Sequence, residues 1–233
     1  MKKTVTILTI LSVLALLAVG CEQSLYAQFK IPKGYSEVYP IEDWGETKRI
    51  YIDFDGDGKK DTATIIAQQD KDYYYVYYYS FLIYLTSDNK NHIVELSKEG
   101  NGHCLDLEVK SNVIQFGVVS GGTGLYAPVF KIRYNHTKRK IQLIGFDYSY
   151  RISGHKGNCQ KSYNLLTGDY NVTNYYNVGN PNKVYKEFHK GNKKMKAVFI
   201  ENINEELIGQ LISVGNEFEN HDEIRIRKKY DKP

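Results

Sequence analysis

Phe130-Lys131-Ile132-Arg133-Tyr134 and Phe146-Asp147-Tyr148-Ser149-Tyr150 each alternate an apolar side chain with a polar or charged one. A period of two marks a strand with one face buried. Outward from this pair the same rhythm recurs. Ile114, Phe116 and Val118 share a face, and Ile50 and Ile52 alternate with polar neighbours, with Ile65 following beyond an Asp/Gly loop. From Tyr73 to Leu85 the chain is almost wholly Tyr, Val, Phe, Ile and Leu. That run fits either a central strand covered on both faces or an exposed aromatic patch. Turn clusters separate the runs: Ser87-Asp88-Asn89, Gly100-Asn101-Gly102, Gly121-Gly122, residues 154–158 and Gly179-Asn180-Pro181-Asn182. Val184 to Phe188 and Met195 to Ile200 read as a hairpin around Gly191-Asn192. One stretch has helical spacing, with Asn204 as cap, Leu207, Ile208, Leu211 and Ile212 on one face, and Gly215 at the end. The expectation is one all-β, antiparallel domain (sandwich, barrel or propeller) with one short helix near the C-terminus.

Composition agrees. With 233 residues, 42% hydrophobic and 25% charged, the chain is neither disordered nor collagen-like as a whole. Its 21 Tyr favour half-buried pleated surface. The net charge is +4, of which Lys2 and Lys3 supply two, and no Lys/Arg-rich stripe appears. Nucleic acid is therefore not an expected partner.

Residues 1–20 read as a secretory signal. Two lysines precede an uncharged run from Val5 to Val19, too short for an ordinary membrane span. Ala18-Val19-Gly20-Cys21 resembles the bacterial lipobox, which makes Cys21 the expected lipidation site and residues 21–35 a tether. Cleavage after Ala27, or retention of the signal as an anchor, are the alternatives. All three place the folded part, residues 36–233, in the cell envelope or beyond, and the lipid anchor makes the membrane a partner. With Cys21 acylated, Cys104 and Cys159 remain as an even pair in an oxidising compartment. They form either a disulfide, worth about 4 kcal/mol in the chain-entropy model, or two buried free thiols.

The stretch Asp53-Phe54-Asp55-Gly56-Asp57-Gly58-Lys59-Lys60-Asp61 carries the strongest chemistry. Calcium takes six to eight hard oxygens, and alternating carboxylates at loop positions 1, 3, 5 and 9 supply them. Asp53, Asp55, Asp57 and Asp61 are the expected carboxylate ligands, with Lys59 offering only its backbone carbonyl. The bidentate Glu of an EF-hand at position 12 is Thr64 here. Gathered without a cation, four carboxylates would repel one another.

The loop and its flanking strands resemble an FG-GAP or VCBS-type repeat. Together with Leu143-Ile144-Gly145-Phe146-Asp147-Tyr148-Ser149 and Ser162-Tyr163-Asn164-Leu165-Leu166-Thr167-Gly168, they resemble a group of exported bacterial lipoproteins. In that group one Asp loop is followed by a Gly-rich segment, a LIGYDYS strand and a YNFLTG strand. The likeness spans about Ile50 to Thr173. It implies a small, irregular, five-bladed β-propeller with a calcium site. It also implies, for the immunity members of the group, inhibition of a lysozyme-like effector.

No catalytic constellation appears. His92, His103, His136, His155, His189 and His221 have no HxH, HxxxH or HExxH spacing, and no GxSxG surrounds a serine. Ser120-Gly121-Gly122-Thr123-Gly124 has no phosphate-loop ending. Followed by Tyr126, it offers a polar loop tipped by an aromatic anchor, with Ser120, Gly121 and Tyr126 as the partner-binding candidates. The expected function is therefore binding without catalysis. The first candidate partner is a protein such as a cell-wall hydrolase. The alternative is a surface lipoprotein that binds glycan or host protein.

Overall fold

A computed structural model describes residues 29–38, 49–69, 77–97, 104–119, 126–152, 157–176, 184–219 and 229. The signal segment, Cys21, residues 73–76 of the aromatic tract and the Ser120–Leu125 loop lie outside these described residues. The chain divides into Met1–Lys33 and Gly34–Pro233. In the first unit, residues 29–32 are irregular. Among the described residues no helix is long and apolar enough to cross a membrane.

The second unit is all-β, antiparallel and open. Its first sheet contains β1 (Ser36–Glu37), β2 (Ile50–Ile52), β3 (Asp61–Gln69), β4 (Tyr77–Leu85) and β5 (Lys90–Ser97). The order is β1-β3-β4-β5, with β2 also paired to β3. The second sheet contains β6 (Cys104–Lys110), β7 (Val113–Val119), β8 (Tyr126–Asn135), β9 (Lys140–Ile152), β10 (Gly157–Asn164), β11 (Asp169–Tyr176), β12 (Tyr185–Asn192) and β13 (Val198–Phe199). Strands β6 to β12 follow one another in unbroken chain order, and β13 returns to pair with β9. The described strands thus form two sheets sharing one core rather than a ring of separate four-stranded blades. This is the two-sheet form of the all-β expectation.

Alternation builds that core. Phe81 of β4 stacks on Phe116 of β7, with ring centroids 3.8 Å apart. Phe116 continues to Phe130 on β8 at 5.3 Å, and Phe130 to Phe146 on β9 at 5.2 Å. Each ring sits on the inward face of its strand, so one aromatic row joins both sheets. Strands β3 and β4 are covered on both faces: Ile65, Phe81 and Ile83 join the main core, and Ile66, Leu82 and Tyr84 are buried on the other side. The Tyr-rich run is therefore a central strand over the residues described.

A helix, α1 (Glu205–Ser213), matches its expected signals. Asn204 Oδ1 accepts the Leu207 amide at 2.9 Å, Leu211 is buried, and Gly215 turns left-handed at φ +79. The Asn164–Gly168 stretch is the β10–β11 turn. Asn164 Oδ1 accepts the amides of Leu166 and Thr167, and Gly168 at φ +84 completes the reversal.

Two expectations are corrected. No hairpin turns at Gly191-Asn192. Strand β12 runs straight through both residues, which pair with Tyr170 and Asp169 of β11, while β13 goes to β9. Gly191 is required because a Cβ there would lie 2.2 Å from the Tyr170 ring. Nor do Cys104 and Cys159 bond. Cys159 is a buried free thiol. Cys104 lies on β6, four inter-strand steps from β10 in the sheet order. Steps of about 4.8 Å add up to roughly 19 Å, against the 7 Å or less that a disulfide needs between Cα atoms.

Candidate metal centre

The acidic loop connects β2 to β3 and is shaped by its own carboxylates. Backbone amides left unpaired by the turn must find acceptors, and the Asp side chains provide them. Asp55 Oδ1 accepts the Asp57 amide at 3.2 Å, Asp53 Oδ2 the Gly58 amide at 3.1 Å, and Asp57 Oδ1 the Lys59 amide at 2.8 Å. Asp61 Oδ2 accepts the Phe54 amide at 3.0 Å, closing the loop onto its own start. Gly56 and Gly58 take left-handed φ values of +77 and +85, where a side chain would be strained.

Three of the four expected carboxylates converge. Oxygens of Asp53, Asp55 and Asp61 all lie within 4.8 Å of one another, and this triad can hold a metal ion. Asp55 and Asp61 are buried. Asp57 stands outside the group and is exposed, and the Lys59 side chain is exposed as expected. The donors are all hard oxygens, which suits a hard divalent cation.

The hydrogen bonds leave one gap. Asp53 Oδ1 is buried and has no hydrogen-bond partner. An unsatisfied buried carboxylate oxygen is costly, and a cation beside it would remove the cost. Burial pushes the Asp61 carboxyl above its ordinary value. The nearby Asp55 charge acts the same way, while the amides of Thr86 and Phe54 hold it back. The residues present therefore fit a bound cation.

Long-range partners complete the site, and sequence reading had not found them. Thr86 donates to Asp61 Oδ1 from its amide at 2.8 Å and its hydroxyl at 3.1 Å. Ser87 donates its hydroxyl to Asp55 Oδ2. Both sit on the β4–β5 turn, which the Ser87-Asp88-Asn89 cluster had marked only as a turn. Asn112 of the β6–β7 turn reaches the Phe54 carbonyl at 3.4 Å. Behind the loop, Phe54 is fully buried and meets Tyr134 edge-on.

The other predicted residues lie elsewhere. Tyr126 opens β8, is 47% exposed, and pairs across the strands with Tyr150. Ser120 and Gly121 lie outside the described residues, as does Cys21. Cys159 pairs with Tyr150 on β9, and burial raises its thiol pKa although the Tyr150 hydroxyl hydrogen bond opposes this, so it is a poor nucleophile. No protein-family profile, curated protein or solved structure matches this chain.

Proposed function

We propose that the chain is a calcium-binding, lipid-anchored protein of the bacterial cell envelope that works by binding another protein without catalysis. In its sharpest form it is an immunity factor that occludes a peptidoglycan hydrolase. The observation that carries the calcium reading is the oxygen triad with Asp53 Oδ1 buried and unpaired. Calcium there would offset two of the triad's three negative charges and lock the loop that joins β2 to β3. Lipidation at Cys21 follows from the lipobox resemblance.

Extracellular calcium modules have dissociation constants of roughly 10⁻⁴–10⁻³ M. At a hundredfold excess over that constant, a bound ion adds about 2.7 kcal/mol to the folded state. Calcium at about 10 mM, a ten- to hundredfold excess, should therefore raise the melting temperature of the purified chain by several degrees, and magnesium by less. Asp53→Asn should remove the rise. A variant that responds like wild type rejects the site.

The partner reading rests on Tyr126, an exposed ring beside the glycine-rich loop. An aromatic anchor at the centre of an interface typically contributes about 2 kcal/mol or more, close to thirtyfold in affinity. Wild type should inhibit cell-wall hydrolysis by a hydrolase encoded beside it, and Tyr126→Ala should be about thirtyfold weaker. Absence of inhibition by wild type rejects the immunity reading. Equal inhibition by the variant relocates the interface.

A further inference from the structure

A cleft of about 760 Å³ opens beside the acidic loop, bounded by the β4–β5 turn, β5, the β8–β9 turn and the short helical turn after β13. Its size falls within the range of roughly 300–1,000 Å³ typical of small-molecule sites. We propose that this cleft binds a neutral, polyhydroxylated ligand of the saccharide class, held chiefly by Arg139 and His136. Asp55 and Asp57 of the acidic loop line the same cleft, so binding is measured with the loop loaded and unloaded.

The lining argues against a charged ligand. Charges of both signs face the cleft: Asp55, Asp57, Asp88 and Glu201 against Arg139 and Lys140, with two of the four carboxylates engaged by basic neighbours in the wall. His92 Nε2 lies 3.1 Å from Asp88 Oδ2, and Lys140 pairs with Glu201. A free anion would be repelled by the four carboxylates and a free cation by the Arg139 guanidinium. A ligand whose hydroxyls both donate and accept meets partners everywhere, because Asp88 and Glu201 accept while Arg139 only donates. Carboxylate and guanidinium groups each present two heads in one plane, which suits adjacent hydroxyls. Arg139 forms no ion pair among the described residues, so its donors remain to be used. It sits at φ +50 in the tight turn between β8 and β9, so the backbone is held where a Cβ is strained.

The cleft also has an aromatic wall. The Tyr134 and His136 rings meet edge-on with centroids 5.2 Å apart. Ring faces and edges of this kind pack against the apolar C–H face of a sugar. Beside them Ile141 and Ile200 are buried and give the cleft an apolar floor.

The test is isothermal titration of the purified full chain, in calcium and in chelator, with maltotriose, cellotriose and chitotriose as probes. Inorganic phosphate and spermidine serve as the charged comparators. At least one trisaccharide should bind, with an affinity that changes little between low and high salt, because no net charge is matched. Arg139→Ala and His136→Ala, both at exposed positions, should each weaken it about tenfold, as loss of a charge-assisted or ring contact does. Lys190→Ala on β12 should leave it unchanged. No binding by any of the three sugars, tighter binding of phosphate or spermidine, or equal binding by both cleft variants would overturn the proposal. A calcium response that fails while sugar still binds would reject the metal reading alone.

Discussion

Gly191 shows how a single residue can carry a tertiary requirement. It takes no left-handed conformation, yet a Cβ would meet the Cζ and hydroxyl of Tyr170 at 2.2 Å. Tyr170 cannot step aside freely. Its hydroxyl donates to Glu217, and its ring packs edge-on against Tyr163. Gly191→Ala should therefore cost about 1–3 kcal/mol, the range for forcing an extra methyl into a packed site. Thermal or denaturant unfolding reads this directly. Were Gly191 an exposed turn residue, the change would be a few tenths of a kcal/mol, and that result would contradict the through-running β12. Lys161 makes a similar point with the opposite chemistry. It is buried, yet its ammonium donates to the Ile212 carbonyl at 2.8 Å and to Asn216, and pairs with Glu219. A buried cation is tolerated only when surrounded in this way. It also sits where the negative end of the α1 dipole favours it.

At the scale of elements, what could be read from the chain was what depends on near neighbours. The alternation of Phe130 to Tyr134 and of Phe146 to Tyr150 identifies β8 and β9, because the inward face follows from the pleat alone. Helix α1 was equally legible, since Asn204 and the Leu207–Ile212 stripe act within one or two turns. The acidic loop was legible for the same reason: its hydrogen bonds run between residues two to seven apart. Long-range pairing was not. A glycine needed for close approach to Tyr170 looks in sequence like a turn glycine, so the local pattern at Gly191 reads as a hairpin that the sheet does not make. An even number of thiols says nothing about sheet order, so Cys104 and Cys159 were candidates for a bond that four strand steps forbid. Thr86 and Ser87 reach Asp61 and Asp55 only because β4 lies beside β3, and no local pattern signals that. The Asp57 carboxylate was assigned to the cluster by spacing, whereas the fold leaves it exposed and bound to the Lys59 amide.

Across the second unit, one core serves two sheets, and several tyrosines are buried in it or beside it. Tyr79, Tyr84, Tyr148, Tyr163, Tyr170 and Tyr176 are all buried. Burial disfavours the charged phenolate, so it pushes Tyr148 up to about 12, with the neighbouring Tyr126, Glu219 and Cys159 adding to the effect. Burial likewise raises Tyr150, Tyr163, Tyr84 and Tyr134, while Tyr170 rises to about 12 chiefly through its hydrogen bond to Glu217. In the unfolded chain these hydroxyls lose their protons near the ordinary value of 10. The folded chain keeps them to higher pH, so between 10 and about 12 it holds more protons than the unfolded chain. Stability is therefore fully present below pH 10 and falls as pH rises through that window. Each such tyrosine contributes a slope of up to about 1.4 kcal/mol per pH unit, or about 3–6 °C in melting temperature for a domain of this size. Tyr148→Phe isolates one of them, because it removes a titrating hydroxyl while retaining the ring that packs on Phe146. At neutral pH the variant should melt close to wild type. Above pH 10 it should lose stability more slowly, by roughly one tyrosine's share of the slope. Parallel pH profiles for variant and wild type would show that the Tyr148 hydroxyl titrates alike in folded and unfolded chains, and would remove it from the core's alkaline limit.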